Sequence, residues 1–305
     1  MNIRITPQLA VILTLIATFL WGSNFQVTKI VLVDLPPWTA SGERFVFAVL
    51  CIFIFMMFRR KINGRVFKKN WLAFICLGGI GIAGFNGALF VGLQHGHPVT
   101  AALIMATTPV SANILEAIIN RHFPEIIRVV GMIISLLGVA LVITNGQLIF
   151  GSTLHIEKGV LIIFVGSLGW AIYTVGIRVF VTEATPLETT SWTMFFGMII
   201  LVIVAISVES PVPALLSAPL ESHLASIYMG IAGSFLAYLF WNIGITVRGA
   251  GKTAIFFNFV PIFALMIQII VENRFSLIQF IGSTLTIIGV LLGQGTIKIF
   301  QRTLL

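Results

Sequence analysis

Apolar residues run along the chain in ten long stretches, separated by short clusters of charge, proline or glycine. The stretches lie at about 9–33, 38–58, 71–93, 98–120, 126–145, 158–181, 187–207, 223–246, 252–271 and 276–297. Each approaches the ~20 residues that carry a helix across about 30 Å of hydrocarbon. Connections stay below about 15 residues, which leaves no room for a soluble catalytic domain. The pattern predicts an all-α polytopic membrane protein with ten transmembrane helices.

Composition agrees: 58% of the 305 residues are hydrophobic and 9% are charged, against about 25% charged in a soluble domain. The first stretch is too long for a signal peptide and lacks a small-x-small cleavage site, so it reads as a retained helix. Cys51 and Cys76 fall inside apolar spans, where cysteine acts as a small hydrophobe.

A net charge of +8 invites a nucleic-acid reading, which the positions of the basic residues refuse. Six of the 18 lie in one connection, "RRKINGRVFKKN" at 59–70, and connections rich in Lys and Arg face the cytoplasm. Ten alternating spans then put both termini in the cytoplasm. The same choice places 14 basic residues inside and leaves Lys29, Arg44, Lys158 and Arg274 towards the exterior.

Sliding the chain on itself by about 149 residues lays Trp21 over Trp170, Lys29 over Arg178, Asp34 over Glu183 and Pro37 over Pro186. At about 152 residues Gly92 meets Gly244 and Pro109 meets Pro261. The halves, 1–149 and 150–305, each hold five spans. Five is odd, so the second copy crosses the membrane in the opposite sense. Inverted repeats of this kind belong to transporters that work around a midplane site. Pro109 and Pro261 stand mid-span and free the carbonyls of Met105 and Phe257 at a depth where lipid cannot satisfy them. The two broken helices are therefore expected to face neighbouring helices, polar side chains such as Thr107, Thr108 and Asn258, or a wet cavity, and to serve as gating elements.

With "WGSNF" in the first span, Arg44 early in the second, "GLQ" at 92–94, a proline in the fourth and "GVAL" at 138–141, all echoed in the second half, the chain resembles the EamA family of the drug/metabolite transporter superfamily. The resemblance covers essentially the whole chain. It implies two inverted five-helix halves with the third, fourth, eighth and ninth helices central and the fifth and tenth peripheral. It also implies export of amino acids or related metabolites by most members and import by others.

Polar and aromatic groups at mid-depth are the candidates for solute contact, since Leu or Ile would serve a lipid face at lower cost. Trp21, Asn24 and Thr28 share one face of the first span. Trp170 and Tyr173 hold the matching places on the sixth; Asn86 on the third has Tyr238 as its mate on the eighth, with Trp241 and Asn242 nearby. Together they describe a cavity of rings and amides suited to a small amphipathic solute; packing or an interhelical hydrogen bond is the plainer role for each taken singly. Arg44 either receives a solute carboxylate or braces helix ends. Glu43 and Glu116 are the candidates for proton coupling, although the repeat mate of Glu116 is Gln268, which cannot titrate.

His95 and His97 lack further ligands for a metal. "GAGKT" at 249–253 resembles a phosphate loop, but Thr246 stands at the required first glycine and no strand precedes it. No enzyme motif, cofactor or metal follows from the sequence. The expected function is a secondary transporter of the plasma membrane exporting an amino acid or related metabolite. A lipid or lipid-linked sugar flippase, or an importer or exchanger, is the alternative. Its partners are a small-molecule solute and the lipid bilayer, with a homodimer admitted and nucleic acid excluded.

Overall fold

A computed structural model describes residues 5–59, 64–95, 104–144, 158–272 and 276–294. Eight helices are long and apolar enough to cross a membrane: Pro7–Asp34, Pro37–Phe58, Gly64–Gln94, Ile126–Thr144, Leu161–Phe180, Pro186–Val208, Leu220–Arg248 and Ala250–Ile270. Thr108–Asn120 and the apolar Leu277–Gly293 complete ten spans in the order of the ten stretches. The fold is all-α, and inner and outer ends are named below by the orientation of the basic residues.

Local chemistry sets where the helices start and stop. Thr6 caps the first span by accepting from the Leu9 N–H at 3.2 Å, with Pro7 where no donor is needed. Thr185 and Glu188 form a reciprocal capping box on the seventh. Hydroxyls buried within spans turn back on their own helix: Thr14 donates to the Ala10 carbonyl at 2.7 Å and Ser191 to that of Leu187 at 2.7 Å. In a bilayer this satisfies the hydroxyl without a neighbour.

The structure departs from the apolar pattern in two places. Residues 64–70, read as part of the basic connection, are helical and lengthen the third span at its inner end. A short helix, Pro211–Ser217, lies in the outer connection before the eighth span. The fourth span is described only from residue 104, so the start expected at 98 and His97 fall outside the described residues.

Both the third and eighth spans contain a π-helical segment, Gly78–Gly84 and Met229–Leu236. Each widened turn closes with a donor reaching back five residues: Phe85 N–H to the Ile80 carbonyl, and Ala237 N–H to that of Ala232. The two segments occupy equivalent places in the repeats. They also make equivalent close approaches across the halves. A Cβ at Gly230 would press on the Arg44 carbonyl and Phe47, and one at Gly78 on the Thr193 carbonyl and Phe196. Adding 149 to Arg44 and Phe47 gives Thr193 and Phe196.

The fifth and tenth spans pack on each other through a glycine seam, where a Cβ on Gly282 would lie 2.7 Å from the Gly138 carbonyl oxygen. They sit to one side, as the resemblance implies. The rings at the centre come largely from the first, sixth and eighth spans.

Candidate functional site

Trp21 is the hub of the centre. Its ring meets Trp170 at 5.4 Å, Tyr238 at 5.6 Å, Trp241 at 5.1 Å and Phe257 at 5.7 Å, mostly edge to face. Such pairs favour the arrangement beyond simple area burial. Beside this cluster lies a cavity lined by Trp21, Asn24, Phe25, Thr28, Arg44, Asn86, Trp170 and Tyr238, among others. About 40 Å³ of it is open to the centre of a water molecule, room for about three waters.

Arg44 reaches this cavity from the second span and is 4% exposed. Its Nε donates to Ser234 Oγ at 2.7 Å, its Nη2 to the Gly233 carbonyl at 3.1 Å, and its Nη1 to Asn86 Oδ1 at 3.5 Å. Trp21 Nε1 donates to the same Gly233 carbonyl at 2.9 Å. The carbonyl belongs to the π-helical segment of the eighth span, where the widened turn leaves backbone oxygen for a neighbour. Every partner of the guanidinium is neutral, and among the described residues no carboxylate lies within ion-pair range of it. A buried cation without a counter-ion is costly at membrane depth.

Asn86 donates to Tyr238 Oη at 2.9 Å, joining the repeat mates directly, and to the Ile82 carbonyl at 2.9 Å. Two buried polar atoms on the cavity residues have no partner: Asn24 Oδ1, an acceptor, and Trp170 Nε1, a donor. The residues of the wall therefore carry one positive charge, one unpaired acceptor and one unpaired donor among aromatic rings.

The family model of the EamA-like transporter family matches the chain twice, over residues 8–144 and 157–293. The chain belongs to this family. It is similar to the uncharacterized transporter YyaM of Bacillus subtilis (strain 168), 38% identical over 278 residues and 91% of both chains. The uncharacterized transporter YrdR of the same organism is 27% identical over 300 residues, 94% of this chain and 90% of its own. A solved crystal structure shares the fold with a TM-score of 0.79 at 18% identity, covering 95% of this chain and 97% of that one.

Within this EamA-like centre, six of the residues expected at the solute are brought together: Trp21, Asn24, Arg44, Asn86, Trp170 and Tyr238. Tyr173 and Trp241 stand behind the wall instead. Tyr173 stacks on Trp170 at 5.0 Å and its hydroxyl is taken up by Thr193 at 3.3 Å and Asn242 at 3.1 Å. Trp241 donates to Thr174 at 3.4 Å. Both rings are buried and fully engaged.

The prolines do not interrupt continuous helices. Pro109 is the second residue of the helix that resumes at Thr108, where a missing donor costs nothing. Pro261 follows a 3₁₀ turn, Ile255–Asn258, in the helix Phe259–Glu272. Polar residues at the two breaks reach across to other spans: Thr108 pairs with Ser167 at 2.5 Å and Asn258 donates to Ser135 at 2.6 Å. Met105 and Phe257, four residues before the two prolines, line the cavity with their side chains.

Glu116 lies at the inner end, off the cavity, where it accepts from the Gly251 N–H at 2.9 Å and stands 3.9 Å from Arg128. It serves the start of the ninth span. Glu43 points away from Arg44 and meets His223, described below. Sequence reading missed Gly233 and Ser234 as partners of Arg44. Gly81 and Gly233, 152 residues apart, were the available signal. Nothing in the pattern marked His223.

Proposed function

We propose that this membrane transporter moves a small metabolite carrying a carboxylate, an amino acid or a close relative, across the plasma membrane as a secondary transporter. The two halves, 1–149 and 150–305, rock about the central cavity and expose it to each side in turn. Export is the direction that family resemblance favours. One observation carries the reading: Arg44 is buried on the cavity wall with no carboxylate among the described residues to neutralise it. A solute carboxylate supplies the missing charge with bidentate geometry. The free oxygen of Asn24 suits an ammonium group, and the ring surface of Trp21 and Trp170 suits an apolar side chain.

The test is counterflow of labelled solutes in proteoliposomes, pairing each amino acid with its amide, in which the carboxylate is masked. Movement restricted to the free acids supports the reading. Equal movement of acid and amide sinks it.

A second pocket favours an amphiphile as the alternative cargo. It lies between the first, fifth, ninth and tenth spans, lined by Gln26, Lys29, Gln268 and Gln279, with about 160 Å³ open to water centres. Phe25 lines both it and the central cavity. Dithionite-resistant movement of a fluorescent phospholipid, with no soluble solute transported, decides for a flippase.

A further inference from the structure

The outer ends of the second and eighth spans are joined by one ionisable contact. Glu43 Oε1 lies 2.5 Å from His223 Nδ1, with the carboxylate side chain 9% and the imidazole 27% exposed. The other ring nitrogen, Nε2, lies 3.1 Å from the Leu215 carbonyl in the short outer helix. A carbonyl only accepts, so Nε2 carries a hydrogen. The remaining Nδ1–carboxylate contact then holds together only with one more proton, on the imidazole or on the acid. Without it a ring lone pair faces a carboxylate whose second oxygen, Oε2, is buried and unpartnered.

Other charged groups around the pair are committed elsewhere. On the first span Asp34 accepts from Ser222 at 2.5 Å. Arg44, next in sequence to Glu43, turns to Ser234 and Gly233. Glu209 accepts the backbone N–H groups of Trp38 and Thr39 at 3.0 and 2.7 Å. Pro211–Ser217 holds no titratable side chain, and Glu221 and Tyr228 are the only others on the histidine's own helix. Lys29 faces the second pocket. Protonated, the pair is neutral overall; deprotonated, it leaves a net negative charge at a half-buried contact.

The repeat supplies a control. The equivalents of Glu43 and His223 are Trp192 and Trp71, at the inner ends of the seventh and third spans. There Trp192 packs on Phe67, one turn before Trp71, with ring centroids 4.4 Å apart. The outer contact is ionisable and the inner one is not. Along the eighth span, His223 precedes the π-helical segment whose Gly230, Gly233 and Ser234 press on or bond to Arg44. The same two spans thus carry the titrating pair and the cavity cation.

We propose that His223 and Glu43 form a one-proton site facing the exterior, whose occupancy fixes the outer contact between the second and eighth spans and couples solute movement to the proton gradient. The coupling rests on the transport reading above; the proton site does not. Because the contact needs its proton, the folded state holds that proton more tightly than the unfolded chain. Stability is then full at low pH and falls as pH rises through the titration of the pair.

The first arm measures Tm of the full-length protein in nanodiscs between about pH 5 and pH 8. Wild type loses about 3 °C across this range. His223→Gln and Glu43→Gln each flatten the profile, and Trp192→Phe keeps the wild-type slope. A wild-type slope in both outer variants overturns the proton site. The second arm applies an acid-outside jump to pyranine-filled proteoliposomes with the solute identified by counterflow. In His223→Gln, solute still exchanges but no longer responds to the jump, and proton entry accompanying it is lost. Gradient-driven transport that survives His223→Gln overturns the coupling. Failure of every solute in wild type counts against the transport reading, and the Tm arm still decides the proton site.

Discussion

The two repeats build one scaffold and fill it differently at the centre. In each half a residue of the opening span packs against a π-helical glycine of the other half: Asn24 lies against Gly233 and its equivalent Tyr173 against Gly81. Arg44 and its equivalent Thr193 approach the same crossings. On the first side the result is a cation with no counter-ion among the described residues, set beside the cavity. On the second side Tyr173, Thr193, Asn242 and Thr190 hydrogen-bond among themselves. The backbones of the two halves match, and the side chains that break the symmetry set the proposed binding chemistry at only one of the two crossings.

Arg44→Leu sharpens this comparison most. It removes the charge proposed to meet the solute and strips Ser234 and Gly233 of a donor. We expect solute counterflow to fall at least about a hundredfold, the loss of one or two charge-assisted hydrogen bonds. Arg44→Lys does not restore it, because a compact ammonium cannot replace a planar fork spread over three acceptors. Thr193→Val, the equivalent change, costs about 1 kcal/mol of stability and leaves counterflow near wild type. Full activity in Arg44→Lys breaks the proposed asymmetry.

Next in size are the crossing glycines. A methyl on Gly81 meets the Cβ and ring of Tyr173, atoms fixed by their own helix, whereas one on Gly233 meets the terminal amide of Asn24. Gly81→Ala is expected to cost about 1–3 kcal/mol, the range of overpacked cores, read as a lower Tm with solute affinity unchanged. Gly233→Ala displaces the Asn24 amide, so its main effect is a weaker solute affinity with a smaller change in Tm. If the two variants trade these effects, the cavity belongs to the other half.

Much of this was legible beforehand, because burial in lipid leaves simple marks. Ten spans and the inverted repeat follow from hydropathy, odd span number and paired motifs, and the sidelined fifth and tenth helices from the family resemblance. Trp21, Asn24, Asn86 and Tyr238 stood out as polar or aromatic groups at mid-depth. The pattern could not separate Tyr173 from Asn24, since equivalent places in a repeat look alike until the hydrogen bonds are traced. Nor could it reach His223, which meets Glu43 across 180 residues of sequence. π-Helical turns are hidden too: the glycines are visible, but the five-residue register depends on what packs against them.

Smaller effects come from the hydroxyls. Tyr238→Phe removes an acceptor of Asn86 at the cavity, and Tyr173→Phe removes a partner of Asn242, which keeps Thr190 at 2.8 Å. Each costs about 0.5–1.5 kcal/mol. Only the Tyr238 change is expected to raise KM in counterflow, because its hydroxyl orients the amide that touches Arg44. Equal KM shifts would mean that both half-sites meet the solute.

The smallest difference lies at the membrane faces, between Asp34 and its equivalent Glu183. Lys69 donates to Glu183 at 2.5 Å, but the two side chains are 45% and 66% exposed. The Lys69 hydrogen bond and charge, with a further contribution from Arg65, hold the Glu183 carboxyl below the usual carboxylate range. A carboxylate lowered in the folded state adds stability above its unfolded pKa and loses it as pH falls through the folded value, so any effect appears only at the acid end. Exposed pairs of this kind contribute little, and Glu183→Gln is expected to leave Tm unchanged at neutral pH. Asp34 instead accepts from Ser222, whose side chain is fully buried. Asp34→Ala orphans that hydroxyl and lowers stability by about 1 kcal/mol, so a Tm loss confined to Asp34→Ala identifies burial of the partner, rather than charge, as what distinguishes the two ends.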